Sequence, residues 1–210
     1  MNKFSSFYKL KPGVWVLMIC FLLLPFISWL YIRQGVDFRL NALKELNQRI
    51  SIAGLDSLYI NDFLVNRDSL KGKVWVFINA DKISDIEKNK NLARTIYDQN
   101  DGSKAVNIVY CSEKDLSTQL QLNPILTKRH FVSFAPERTF ERLFNLFSAN
   151  DSLKADLKTV NSLVIDNKGF IRKGYDLTNE KEVVKLLQHS AVLIPDYKRE
   201  KPQLVRQDGY

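Results

Sequence analysis

Sulfur and imidazole are scarce in this chain. Its 210 residues include 2 cysteines, Cys20 and Cys111, and 2 histidines, His130 and His189. No C-x-x-C, C-x-x-x-C or C-x-x-C-H occurs. That excludes a dithiol redox centre and a covalently attached c-type haem. Four such residues, scattered this widely, do not make a structural zinc site. Glycine and proline are modest at 8 and 6, which argues against a low-complexity chain, and no internal repeat is visible. No nucleic-acid motif accompanies the formal charge of +8. The basic excess, densest at the two ends, is therefore read toward anionic lipid or an acidic protein partner and away from nucleic acid.

Charge is also missing from one long stretch. Pro12 to Ile32 carries no charged side chain, and at about 1.5 Å per residue it spans about 30 Å, the thickness of a bilayer's hydrocarbon core. Trp15 lies near one end, Trp29 and Tyr31 near the other, where amphipathic rings prefer the interface. Pro25 is tolerated in a membrane helix. The run is too long for a signal peptide and no small-residue cleavage site follows it, so the reading is an uncleaved anchor. Lys3, Lys9 and Lys11 precede the span, whereas Arg33 and Arg39 follow it with Asp37 between them. This bias puts the N-terminus in the cytoplasm and the bulk of the chain outside, on the periplasmic side of a bacterial inner membrane. Cys20 falls in the span and Cys111 in the soluble part, so no disulfide between them is expected.

Hydrophobic periodicity lays out the rest. Asp37 to Ile52 reads as a helix leading from the membrane, with Phe38, Leu40, Leu43, Leu46 and Ile50 at helical spacing. Leu55 to Val65 reads as a strand or hairpin. After the turn Lys71-Gly72-Lys73, Val74 to Ile78 is a continuous apolar run suited to a strand buried on both faces. Ile83 to Gln99 reads as a helix and Ala105 to Tyr110 as a second buried strand. Glu113 to Leu122 reads as a short helix halted before Asn123-Pro124. A short strand at Phe131 to Phe134 and a helix from Pro136 to Phe147 follow. Ser162 to Asp166 and Phe170 to Lys173 flank the turn Asn167-Lys168-Gly169, a hairpin pattern. Asn179 to His189 is the closing helix, with Val183, Val184, Leu186 and Leu187 inward. Alternating strands and helices imply an α/β sandwich, and the final hairpin and helix complete the thioredoxin pattern. The organisation expected is a cytoplasmic N-terminus 1–11, a transmembrane helix 12–32, a connecting helix and linker 33–54, a thioredoxin-like domain 55–194 and a charged tail 195–210.

Three stretches resemble the SCO/SenC family, membrane-anchored thioredoxin-like proteins that help build the copper centre of cytochrome c oxidase. They are Ser69-Leu70-Lys71-Gly72-Lys73-Val74-Trp75-Val76, then Leu163 to Arg172 with its D-x-x-G-x-I-R pattern followed by Tyr175-Asp176, and Thr178 through Leu187. The N-terminal anchor fits too, and the similarity covers roughly residues 55 to 195. The resemblance implies copper ligands in a C-x-x-x-C just after the first core strand and a histidine before the hairpin. Here the first position reads Asn79-Ala80-Asp81-Lys82-Ile83-Ser84-Asp85, and the second falls near Lys158. Carboxylate or lysine does not replace a soft thiolate pair for Cu(I). The place of the thioredoxin cis-proline is about Val160. The chain is thus read as a divergent relative without the copper ligands.

No residue is assigned as catalytic, cofactor-binding or metal-binding, and no cofactor is expected. Cys111 sits just after a strand, at the edge where α/β proteins place their sites. Burial as a small apolar residue is the favoured reading over a reactive thiol, with Lys114 lowering its pKa and Glu113 opposing. His130, beside Lys128 and Arg129, reads as a surface residue. His189 reads as a helix-end imidazole whose protonated form the helix dipole favours. Asp81 and Asp85 form either a carboxylate pair at the old metal site or merely a helix start. The implied function is a non-enzymatic assembly factor or accessory subunit of a respiratory oxidase. Its partners would be the membrane and oxidase subunits or assembly factors. The alternatives are a thiol-dependent enzyme using Cys111 alone, copper held by Cys111 and His130, or an unrelated envelope role.

Overall fold

A computed structural model of the chain describes residues 12–55, 58–61, 63–83, 86–99, 105–114, 116, 132–149 and 157–194. The chain divides into two compact units, Met1–Lys44 and Glu45–Tyr210. In the first, helix α1 (Pro12–Glu45) has a mean hydropathy of 2.3 over its most apolar window, none of which is buried. Phe21, Leu22 and Leu24 are among its exposed side chains. A helix apolar on all sides has no water-facing stripe, and this one is long and apolar enough to be a candidate membrane span. The helix expected from Asp37 to Ile52 ends instead at Glu45. Ile50 and Ser51 form strand β1, paired with Ile171 and Phe170. A sheet edge needing a partner overrides the helical spacing of Ile50 there.

The second unit is built on one six-stranded sheet. Its strands are β1, β4 (Val74–Asn79), β5 (Val106–Cys111), β6 (Val132–Ala135), β7 (Ser162–Ile165) and β8 (Phe170–Tyr175), in the order β1-β8-β7-β4-β5-β6. β4 runs parallel to β5, and β5 to β6. β7 runs antiparallel to β4 and to β8. A small separate sheet pairs β2 (Leu58–Ile60) with β3 (Phe63–Val65), and the short helix α2 (Arg67–Leu70) leads into β4. The longer helices are α3 (Ile86–Gln99), α4 (Glu137–Ser148) and α5 (Glu180–Leu193). The helix expected over 113–122 lies almost entirely outside the described residues.

Strand alternation divides the core. Val74, Val76 and Ile78 of β4 face α3 and α5, and pack with Ile108, Tyr110, Leu92, Ile96 and Leu186. Trp75 and Phe77 point to the other side, against α4, with Cys111, Phe140, Leu143, Phe147 and Leu163. Every residue of β4 and β5 is buried, which is why both read as unbroken apolar runs. The parallel unit β4–α3–β5, joined through β4 to the antiparallel β7–β8 hairpin and closed by α5, is the thioredoxin-like α/β arrangement. One inward expectation on α5 fails: Val184 is 50% exposed, while Leu186 and Leu187 are buried. At 100° per residue the buried stripe runs through 183, 186, 187 and 190, leaving 184 beside it.

The residues that carried the family resemblance hold turns. Asp166 Oδ1 accepts from Lys168 N and Phe170 N, both at 2.9 Å, and Gly169 adopts φ +79°. Arg172 Nη1 reaches Asp166 Oδ2 at 3.1 Å, and its Nε donates to Leu46 O at 2.8 Å. Gly72 takes φ +86° and donates to Asn167 O at 2.8 Å, and Trp75 Nε1 donates to Leu70 O at 2.9 Å. Gly174 on β8 serves packing. A Cβ there would lie 2.8 Å from Val160 Cγ1 and 2.9 Å from Phe147 Cε1, both buried. Gly174→Ala is therefore expected to destabilise the domain by about 1–3 kcal/mol through overpacking. Chemical denaturation of the detergent-solubilised chain measures this; an unchanged midpoint would show that Phe147 and Val160 yield freely.

Candidate functional site

The C-terminal ends of β4, β5 and β6 come together at one edge of the sheet, the usual place for a site in an open α/β sheet. Here the resemblance expects copper ligands, and the side chains present form a polar tie. Buried Asn79 donates from Nδ2 to Glu137 Oε1 at 3.3 Å and accepts from Lys82 N at 3.2 Å. Asp81 reaches across to the segment after β5: Oδ1 accepts from Ser112 Oγ at 2.7 Å and Oδ2 from Glu113 N at 2.9 Å. Ser112 Oγ in turn accepts from Lys114 N at 2.9 Å. The backbone closes the same gap, with Ala80 N donating to Cys111 O at 2.9 Å, and joins β5 to β6 beside it, with Ser112 N donating to Ala135 O at 3.1 Å. The Lys82 ammonium stands 5.5 Å from the Phe144 ring centroid. Asp81 thus ties the end of β4 to the segment after β5. Asp85, its suggested partner, lies outside the described residues.

Cys111 pairs with Asn79 on one side and Ala135 on the other, and its side chain is fully buried toward α4. Burial pushes its thiol well above the ordinary range. The Phe140 backbone hydrogen bond opposes this, and the Glu137 and Asp81 carboxylates reinforce it. Lys114 is not among the causes, contrary to the sequence expectation. A thiolate is the nucleophile, and this environment disfavours one. Lys158, at the place of the expected histidine, is exposed, and Val160 is buried. His130 lies outside the described residues. Among the described residues no three of His, Cys, Asp and Glu converge as metal ligands. In the folded chain, maleimide labelling of Cys111 at neutral pH is expected to be at least tenfold slower than in denaturant. Equal rates would contradict the burial.

A second polar cluster was missed in the sequence. The sequence predicts a helix-end cation at His189, yet α5 continues to Leu193 and the imidazole is buried. Its Nδ1 lies 2.7 Å from Tyr175 Oη, and its Nε2 lies 3.9 Å from a Glu45 carboxylate oxygen that also pairs with Lys173 Nζ. The imidazole is held below its ordinary value, first by burial and then by the Lys173 charge. Glu45 opposes, Lys185 adds a smaller lowering and Glu182 a smaller raising. The neutral ring with its proton on Nε2, the nitrogen nearer Glu45, suits the contact, because Nδ1 in that tautomer accepts from the buried Tyr175 hydroxyl. Since the unfolded chain takes the proton more readily, this contribution to stability is complete above pH 6.5. It is lost as pH falls below 6.5 toward the lower folded value. Urea midpoints should drop over that window, and His189→Asn should flatten the drop; the same slope in both would assign it elsewhere.

A groove of about 470 Å³ lies between α3 and α5, lined by Ile83, Leu92, Leu177, Val183 and Leu187. It is apolar and apart from the polar tie.

These features define the class, a thioredoxin-like domain whose site edge carries a hydrogen-bonded polar tie and a buried lone thiol. No known family pattern and no curated protein matches the chain. Solved structures similar to it include a SCO1/SenC family lipoprotein from Bacillus anthracis. That likeness has 15% identity and a TM-score of 0.39, covering 65% of this chain and 91% of the other. Copper-bound Sco1 of yeast is similar at 11% identity and a TM-score of 0.39, covering 68% and 94%. Peroxiredoxin Q of Xanthomonas campestris is similar at 12% identity and a TM-score of 0.42, covering 70% and 96%. The thioredoxin-like class of this chain is carried by its own strand order.

Proposed function

We propose that this chain is a membrane-anchored, non-catalytic relative of the SCO/SenC proteins, acting by docking as an assembly factor or accessory subunit of a respiratory oxidase. The observation that carries the reading is the Asp81 tie. Where the resemblance expects a sulfur pair, a carboxylate links the ends of β4 and β5 through Ser112 and Glu113. Such a tie rigidifies the edge and offers no soft ligand for Cu(I). The buried Cys111 gives no support to a single-thiol enzyme.

The anchor in this reading is the run from Pro12 to Ile32, with the N-terminus cytoplasmic and the soluble unit outside the cytoplasm. Excess lysine before the span supports that direction. The tail 195–210 would serve as a docking segment.

The test is isolation of the tagged full-length chain from its own membranes in mild detergent, with mass spectrometry of what accompanies it. Stoichiometric oxidase subunits are the expected result, and whether they stay bound separates a subunit from an assembly factor. Recovery alone, or with unrelated envelope proteins, would leave the resemblance as ancestry without shared function.

A further inference from the structure

The main sheet ends in β1 on one side and β6 on the other. β1 lies along β8. On the other side Asn61, at φ +48°, mimics a pairing residue: its N–H donates to Phe134 O at 2.7 Å, and its Oδ1 accepts from Phe134 N at 2.8 Å. Asn61 thereby fastens the β2–β3 hairpin to β6, helped by Leu58 and Ile60, which are buried in the core. Thr139 Oγ1 adds a bond to Tyr59 O at 3.3 Å.

β3 is different. Among the described strands it is paired on one side only, by β2. Natural edge strands are usually guarded by charge, proline or a bulge, yet Phe63-Leu64-Val65 contains no charge and no proline. Consecutive strand residues point to opposite faces, and here Phe63 is 75% and Leu64 63% exposed. The strand is therefore apolar and exposed on one face at Phe63 and on the other at Leu64, while half-buried Val65 packs against the core. Ile60 pairs with Phe63 across a two-residue connection, which makes theirs the hydrogen-bonded pair. By alternation Leu64 directs its N–H and C=O away from β2, toward the open edge.

We propose that β3 pairs with β3 of a second copy of this chain, the two strands antiparallel about a two-fold axis at Leu64. In that register Leu64 opposes its own counterpart and Phe63 opposes Val65. Every pair is apolar and no like charges meet. The contact is self-complementary, as an isologous interface requires, and it converts two marginal ribbons into one four-stranded sheet. Three residues a side bury much less than the roughly 1,200–2,000 Å² of a stable solution dimer. Confinement of both copies to one membrane raises their effective concentration to offset this, a step that rests on the anchored reading proposed above.

The test is oxidative cross-linking of the full-length chain in its own membranes, in a Cys20→Ser background. Leu64→Cys is expected to give a disulfide-linked dimer, since Cα atoms across such a pair are about 5.5 Å apart, within disulfide reach. Val184→Cys, exposed on α5, is expected to give at least tenfold less. Adding Phe63→Lys to Leu64→Cys should lower the linked fraction several-fold, with slow Cys111 labelling confirming an intact fold. The proposal is overturned if Leu64→Cys stays monomeric, links no better than Val184→Cys, or links chiefly to a different protein. Carbonate extraction of the same membranes judges the anchor separately. Release of the chain would end the anchored reading, whereas no linkage in chain that resists release would end the pairing alone.

Discussion

The burial of β4 on both faces is the constraint on which the rest of the second unit depends. A strand with a helix layer on each side and a strand along each edge has no access to water. Each of its backbone groups must be satisfied by β5 or β7, and each side chain must fit one of two cores. Its parallel partner β5 requires the crossover helix α3. Its antiparallel partner β7 brings the hairpin and α5. Where β4 emerges at Asn79, the chain must turn in a partly buried place. Asn79 bonds Lys82 N and Glu137 there, and Asp81 bonds Ser112; this polar tie follows from how the strand ends.

That tie bears on chemistry. A site on such an edge needs groups left free to meet a ligand or to ionise. Here Asp81 holds Ser112 and the Glu113 amide, and the one sulfur nearby is turned into the α4 side of the core. The arrangement favours a surface that holds its shape over one that reacts. Under the proposed docking role, the exposed groups of the domain, those of β3 among them, are what a partner would meet.

Much of the resemblance seen in the sequence is architectural. Asp166 receives two backbone amides, Gly169 takes a backbone conformation other residues avoid, and Arg172 links Asp166 to the segment at Leu46. Gly72 and Trp75 close the entry to β4. These residues report how the chain turns and do not touch the site edge. The site was legible mainly through what it lacks, since the missing cysteines are plain in Asn79 to Asp85. What replaced them was not legible, because Asp81 and Ser112 are 31 positions apart and only the parallel pairing of β4 with β5 brings their ends together.

Local pattern determined the long apolar helix, the two buried strands, the Asp166–Gly169 turn and the absence of a dithiol, because each depends on neighbours within a few residues. Tertiary structure decided what local pattern leaves open. Ile50 carries helical spacing yet serves as a strand, because the β8 edge needed a partner. His189 has the sequence position of a helix-end cation yet is buried and neutral by preference, because the packed domain takes it out of water and the Lys173 charge opposes its proton. Phe63 and Leu64 read as ordinary strand residues, and only the assembled sheets leave them on an open edge. Periodicity specifies which face of an element is apolar, but what that face meets depends on long-range packing that no short window of sequence contains.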